Sequence, residues 1–337
     1  MPRFFFEDFP ADWTGTFGPI TVTKDEIVAF AREFDPQVFH TDEEGAKSTF
    51  VGTLIASGWH TCSLTMKLMA EGFILDTASM GAPGVEETKW MRPVLPGDTL
   101  TSHVRVLAAR ASKSRPEMGL VHYLTEIRNR GGETVMTQSN WSMLGRRGYP
   151  WPPGPGAMPD RSAPPVAPPP PTRVEERAIA SPFLEDLEVG DTLELGSVTF
   201  TPDAIVRFAK QYDPQVFHVD PEAARLSSFG GLCASGWHTG STWMRLMVDY
   251  RQRSLAEARR RGEPAADLGP SPGFKNLRWP RPVYAGDTVS YRATLTAARP
   301  SASRPGWGIA FHRNSGTNQY GEEVFSFEGS ALWQRRP

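Results

Sequence analysis

The sequence is poor in cysteine, in long apolar runs and in net charge, and each shortage closes a class of function. Two cysteines in 337 residues, Cys62 and Cys233, are too few for a disulfide framework or a zinc tetrad. Both read as small buried packing residues. No apolar stretch reaches the ~20 residues of a membrane-spanning helix. The opening Met1-Pro2-Arg3-Phe4-Phe5-Phe6-Glu7-Asp8 is interrupted by acids before a signal-peptide core develops, so a cytoplasmic protein with no membrane partner is expected. With 36 basic against 38 acidic residues the whole-molecule field is weak, and no nucleic-acid surface is expected. What is present, 39% hydrophobic and 22% charged residues, describes a globular chain long enough for two domains with separate cores.

The chain repeats itself. Residues 34–61 align without gaps on residues 212–239 at an offset of 178, with 17 of 28 positions identical. A second block pairs Trp90-Met91-Arg92-Pro93-Val94-Leu95-Pro96-Gly97-Asp98-Thr99 with Trp279-Pro280-Arg281-Pro282-Val283-Tyr284-Ala285-Gly286-Asp287-Thr288 at an offset of 189. An 11-residue insertion therefore lies between the blocks of the second copy, and the polar stretch Arg251 to Pro270 is its expected place. Residues 150–171 hold 11 prolines, which lack amide donors and favour extended backbone. The expected organisation is a domain at 1–149, a proline-rich linker at 150–180 and a second domain at 181–337.

Within each copy the order of elements is readable. Thr23-Lys24-Asp25-Glu26 has the form of a capping box opening a helix to about Phe34, and Thr201-Pro202-Asp203 opens its twin. A short helical piece is expected after it, then a longer central helix within Gly52 to Met69. From about Val85 to Leu144 the pattern changes to strands, over Thr99–Leu107, Leu120–Ile127 and Thr134–Leu144, and the second copy repeats it. A central helix followed by antiparallel strands predicts an α+β domain with the helix packed on the sheet.

Two constellations carry candidate chemistry in each copy. Phe34-Asp35-Pro36-Gln37-Val38-Phe39-His40 and Tyr212-Asp213-Pro214-Gln215-Val216-Phe217-His218 place a carboxylate and an imidazole five residues apart around a proline turn. Such a turn lets both groups converge on one water molecule, the geometry an acid/base pair requires. An Asp capping a turn with a His packed beside it fits the same residues, and the duplication weighs against that alternative. Ala56-Ser57-Gly58-Trp59-His60-Thr61 and Ala234-Ser235-Gly236-Trp237-His238-Thr239 lie where the central helix begins. There a glycine permits close approach and free amides can hold a developing oxyanion, although tight packing alone would also call for glycine. His60 and His238 read as helix residues packed against the sheet. Zinc on His60 and Cys62 is disfavoured, because Gly240 stands at the position matching Cys62; no metal is expected.

Together these residues resemble the MaoC-like branch of the hot-dog superfamily, which includes the type-2, (R)-specific enoyl-CoA hydratases. That family's signature is Asp-x-Asn-Pro-(Leu/Ile/Val)-His; Asp35 and His40, and Asp213 and His218, keep its separation. The small-residue-Gly pair and the Arg-Pro-Val-x-x-Gly-Asp stretch are also similar. Gln37 and Gln215 stand where the hydratases have Asn, Phe39 and Phe217 replace the aliphatic residue, and Ser57 and Ser235 replace a His, marking a divergent subgroup. The resemblance implies a double hot-dog forming an intramolecular pseudo-dimer. It further implies reversible addition of water to a trans-2-enoyl-CoA thioester, with neither metal nor redox cofactor. Asp35 and His40 would orient the water and exchange its protons, Gly58 would stabilise the enolate-like oxygen, and Asp213, His218 and Gly236 would do the same in a second site. Ser57, Ser235, Gln37 and Gln215 would flank the substrate. Arg115 and Arg304, in the repeated Ser-Arg-Pro turns, are candidates for the coenzyme A phosphates. A homo-oligomer of pseudo-dimers is compatible with this. The rival readings are an acyl-CoA thioesterase, disfavoured because Gly58 to Met69 contains no Asp or Glu, and a non-catalytic acyl-binding protein, disfavoured because neither copy has lost its Asp or His.

Overall fold

The computed structural model describes residues 1–152, 154, 156, 158–159, 165–166 and 181–337, so the expected linker at 150–180 lies mostly outside the described residues. In the first half the order is β1 (Thr14–Thr21), α1 (Lys24–Phe34), α2 (Val38–Thr41), α3 (Glu43–Ala46), α4 (Gly58–Gly72), β2 (Gly84–Trp90), β3 (Thr99–Ala111), β4 (Met118–Arg128) and β5 (Thr134–Gly145). The second half repeats it with β6 (Thr192–Thr199), α5 (Pro202–Tyr212), α6 (Val216–Val219), α7 (Pro221–Arg225), α8 (Gly236–Arg261), β7 (Gly273–Arg278), β8 (Thr288–Pro300), β9 (Trp307–Asn318) and β10 (Glu323–Gln334).

Both helix starts form as the sequence predicts, the first as a capping box. Thr23 Oγ1 accepts from the Glu26 amide while the Glu26 carboxylate accepts from the Thr23 amide, and Thr201 caps α5 with Pro202 in its first turn. The central helix starts at Gly58, inside the Ala56–Thr61 block, because Ser57 takes the N-cap and its hydroxyl accepts from the Trp59 amide. Strand β1, which the sequence reading left unassigned, contains Gly18-Pro19. Proline cannot donate to a ladder and is tolerated because β1 is an edge strand.

All ten strands form one antiparallel sheet in the order β1-β3-β4-β5-β2-β7-β10-β9-β8-β6. The second five mirror the first, so a pseudo-two-fold axis passes between β2 and β7, where Gly84 pairs with Arg278 and Lys89 with Gly273. Both glycines are required by this joint. A Cβ on Gly84 would stand 2.0 Å from the Leu277 carbonyl oxygen, and one on Gly273 would stand 2.0 Å from that of Thr88. Alternate residues of β4, Val121, Tyr123, Thr125 and Ile127, are buried under the helix layer. One core runs across both halves: Trp59 of α4 stacks on Phe274 of β7 with ring centroids 5.2 Å apart and packs against Trp237 and Trp243 of α8. The fold is a double hot-dog. Among the described residues no helix is long and apolar enough to cross a membrane.

The insertion in the second half is helical. At the offset of 178 the end of α4, Gly72, corresponds to Tyr250, and α8 continues to Arg261, closed by Gly262 at φ 68°.

Candidate active site

The chain ends α1 at Phe34 and uses Asp35 as its C-cap, with the Asp35 amide donating to the Ala31 carbonyl. Pro36 forbids a further helical turn, the Gln37 amide closes on the Asp35 carbonyl, and the one-turn helix α2 then carries His40 back toward the carboxylate. His40 Nε2 lies 3.4 Å from Asp35 Oδ2, and both residues are buried, at 4% and 3% exposed. The second half reproduces the arrangement: His218 Nε2 lies 3.5 Å from Asp213 Oδ2, with both side chains buried.

Each group has a dedicated support. Ser57 Oγ donates to Asp35 Oδ2 at 2.6 Å and Gln37 Nε2 donates to Oδ1 at 2.8 Å. Ser235 and Gln215 hold Asp213 in the same way, at 2.6 and 2.9 Å. His40 Nδ1 meets the Ile55 carbonyl at 2.8 Å, and His218 Nδ1 meets that of Cys233 at 2.7 Å. A carbonyl can only accept, so Nδ1 carries a proton and Nε2 is the ring nitrogen turned toward the carboxylate. Nε2 and Oδ2 therefore stand side by side, 3.4 and 3.5 Å apart in the two sites, close enough for both to reach one water molecule at the cavity.

The remaining ring nitrogens of the site helices behave differently. His60 stacks on Phe30 with centroids 4.6 Å apart, and His238 stacks on Phe208 at 4.7 Å. Both are packing residues of the helix layer, and burial pushes each imidazole down to about 3. The Cys62 and Cys233 thiols are pushed up by burial. Among the described residues no group of three His, Cys, Asp or Glu side chains could hold a metal ion.

Gly58 and Gly236 open α4 and α8, so their amides belong to the helix turn that has no intrahelical acceptor. A Cβ at either position would strike an indole: Trp90 at 2.5 Å from Gly58, and Trp279 at 2.2 Å from Gly236. The glycines thus serve close packing, and each also lies on the cavity lining.

Both pairs open into cavities walled by the opposite half. Asp35, Gln37, His40, Ser57 and Gly58 line a cavity of about 670 Å³ whose far wall is the α8 face Met244, Met247, Tyr250, Arg251 and Ser254. Asp213, Gln215, His218 and Gly236 line one of about 580 Å³ that runs under the first half, along Met66, Met69 and Phe73. Ser79 of the first half donates to Gln215 Oε1 at 2.8 Å, tying the second site's amide across the axis. Arg115 and Arg304 are not brought to either cavity; Arg115 pairs with Glu117 at the β3–β4 turn. Arg92 lines the first cavity and Arg281 the second. The sequence signal for these two was available in the repeated Arg-Pro-Val block.

Comparison with known proteins finds one family twice along the chain. The model of the MaoC like domain matches residues 11–126 and again residues 186–305. The uncharacterized protein YdeM of Bacillus subtilis is 36% identical over 129 residues, covering 38% of this chain and 89% of that protein. A MaoC domain protein from Chloroflexus aurantiacus superposes with a TM-score of 0.77 at 19% identity, covering 100% of this chain and 99% of that one. A Mycobacterium tuberculosis protein with a double hot-dog fold gives 0.70 at 17% identity, covering 98% of each chain. The peroxisomal multifunctional enzyme type 2 of Drosophila melanogaster gives 0.53 at 13% identity, matching 94% of this chain to 48% of its own.

Proposed function

The chain belongs to the family of MaoC-like domains and carries two of them, and on that premise we propose that it is an acyl-CoA hydratase/dehydratase with two sites. The observation that carries this reading is the doubled geometry: a buried carboxylate and imidazole, 3.4 and 3.5 Å apart, at the head of a large and mainly apolar cavity. In the hydration direction a water within reach of both Nε2 and Oδ2 adds its oxygen to the β-carbon of a trans-2-enoyl thioester. The Asp/His pair takes one proton from that water and delivers one to the α-carbon, so enoyl-CoA plus water becomes 3-hydroxyacyl-CoA. Ser57 and Gln37, or Ser235 and Gln215, hold the carboxylate in place. The Gly58 or Gly236 amide N–H donates to the thioester oxygen and stabilises the charge that develops there.

The thioesterase reading draws no support from the site. Neither cavity has a carboxylate on its central helix: Glu71 lies on neither lining, and Asp249 of α8 is bound to Arg245.

The test uses the purified full chain, crotonyl-CoA and longer enoyl-CoA thioesters, and the loss of enoyl-thioester absorbance. Turnover is expected with at least one of them, and Asp35→Asn combined with Asp213→Asn lowers it by ~100-fold or more while the thermal transition is retained. Unchanged turnover in the double variant overturns the assignment.

A further inference from the structure

The two cavities are built from equivalent positions but differ where the opposite half's central helix walls them, one with a largely buried arginine and the other with a phenylalanine. Along α8 the residues facing the first site recur at Met244, Met247, Tyr250, Arg251 and Ser254, one face of a helix. At the same offset α4 presents Met66 and Met69 to the second site, and Phe73 stands where α8 has Arg251. Across the cavity, Tyr123 pairs with Val106 on β3 and His312 pairs with Leu295 on β8, so in register His312 stands where the first half has Tyr123. Asn314 lines the first site's cavity two residues further on, with its amide oxygen buried and without a partner. At these two positions the second site presents Phe73 and Tyr123 and the first a guanidinium and an imidazole; amides line both cavities, Gln138 and Asn140 in the second, and the arginines on the second lining, Arg278 and Arg281, are exposed whereas Arg251 is not.

Arg251 is unusual among the arginines because it is mostly buried and no carboxylate lies within ion-pair distance among the described residues. Its guanidinium donates to Ser181 Oγ at 2.8 Å and to the Ala266 carbonyl, two neutral acceptors for five N–H donors. Burial lowers its proton affinity to about 10, which leaves it charged at neutral pH. Besides Asp35, two acids share the cavity lining, and both are otherwise engaged. Asp186 accepts from the Phe183 amide and pairs with Arg336, and Asp191 accepts from the Glu188 amide. Asp267, the acid that most favours the charge on Arg251, is exposed and is not on the lining. A desolvated cation with unused donors on a cavity wall suits an anion supplied by a ligand, and a planar carboxylate matches the guanidinium fork.

We propose that the Asp35/His40 site takes acyl thioesters whose chain itself carries a carboxylate, bound by Arg251, whereas the Asp213/His218 site takes uncharged chains. This rests on the acyl-thioester reading of the sites above, and it makes the chain one protein with two substrate classes. Binding and turnover separate the two ideas. Calorimetric titrations with glutaryl-CoA and adipyl-CoA, against pentanoyl-CoA and hexanoyl-CoA, test recognition without chemistry. Arg251→Met is expected to weaken a carboxylated ligand tenfold or more and to leave the uncharged ligands within about twofold. His312→Phe, which restores the aromatic character of the other cavity, is expected to shift the same preference in the same direction. An equal loss for both ligand classes in Arg251→Met means that Arg251 serves the coenzyme A moiety or the fold, and overturns the proposal. So does unchanged affinity for the carboxylated thioesters in both variants. If the selective loss is seen and no enoyl-CoA is turned over, the recognition stands and the hydratase reading fails. In turnover assays Asp213→Asn, with only the first site intact, should prefer the carboxylated enoyl thioester, and the opposite preference overturns the assignment.

Discussion

At the scale of single residues, the support of the carboxylate is the most exposed part of the chemistry. Ser57 Oγ has two tasks, donating to Asp35 Oδ2 at 2.6 Å and capping the Trp59 amide at 3.2 Å. Ser57→Ala removes both, so it should cost about 1 kcal/mol of stability through the lost cap. It should also lower kcat of the first site more than it raises KM, measured in the Asp213→Asn background; an unchanged kcat would remove Ser57 from the positioning of Asp35. His60 and His238 give a pH dependence with a definite sign. Each is held neutral by burial, with a folded value of about 3 against the ordinary 6.5, so below about pH 6.5 the unfolded chain binds protons that the folded chain excludes. Stability is therefore complete above that pH and falls as the pH drops toward 3, by roughly 1.4 kcal/mol per imidazole per pH unit as an upper figure. Thermal melts between pH 7 and 4 should show this, and the combined His60→Phe and His238→Phe variant should flatten the acid limb; an unaltered limb would assign the loss to the carboxylates. The motif was legible because it occurs twice with identical spacing. Arg251 was not, since it lies in a polar stretch far from the motif and gains meaning only when α8 is laid against the first half's cavity.

At the scale of elements, the joint between β2 and β7 depends on backbone approach that only glycine allows. Gly84→Ala combines a φ of 156° with a Cβ 2.0 Å from the Leu277 carbonyl oxygen, and should destabilise the protein by more than about 2 kcal/mol. Gly97→Ala is the control, since its φ of 87° carries the same kind of strain with nothing within 4 Å; a cost of about 1 kcal/mol is expected there. Equal losses in chemical denaturation would show that the joint adds nothing beyond strain. The helices were readable from Thr23, Glu26 and Pro202 because capping chemistry is local. The β2–β7 pairing was not readable, because it joins residues nearly two hundred positions apart whose glycines resemble any turn glycine in sequence. The insertion was located from the change of offset, and its helical form follows from continuing α8 to Gly262.

At the scale of the whole molecule, the two halves have become complementary rather than identical. The ring of Trp59 lies directly on the backbone of Gly240, where a Cβ would stand 2.3 Å from its ring carbon Cζ3. In the first half the corresponding residue is Cys62, buried and in contact with Met136. A symmetric dimer of two first halves would press each Trp59 against the partner's Cys62 side chain, which the core has no room to admit. Two second halves would instead place Trp237 against Gly240, leaving space. Because each cavity is walled by the other half, neither half alone completes a site of the described kind. Fragments 1–149 and 181–337 expressed separately should therefore behave unequally in sedimentation velocity: the second forms a dimer, the first does not, and mixing the two yields the heterodimer in preference to either homodimer. Cys62→Gly in the first fragment should shift it toward self-association. A wild-type first fragment that dimerises as readily as the second would show that the Trp59–Gly240 contact does not direct the pairing.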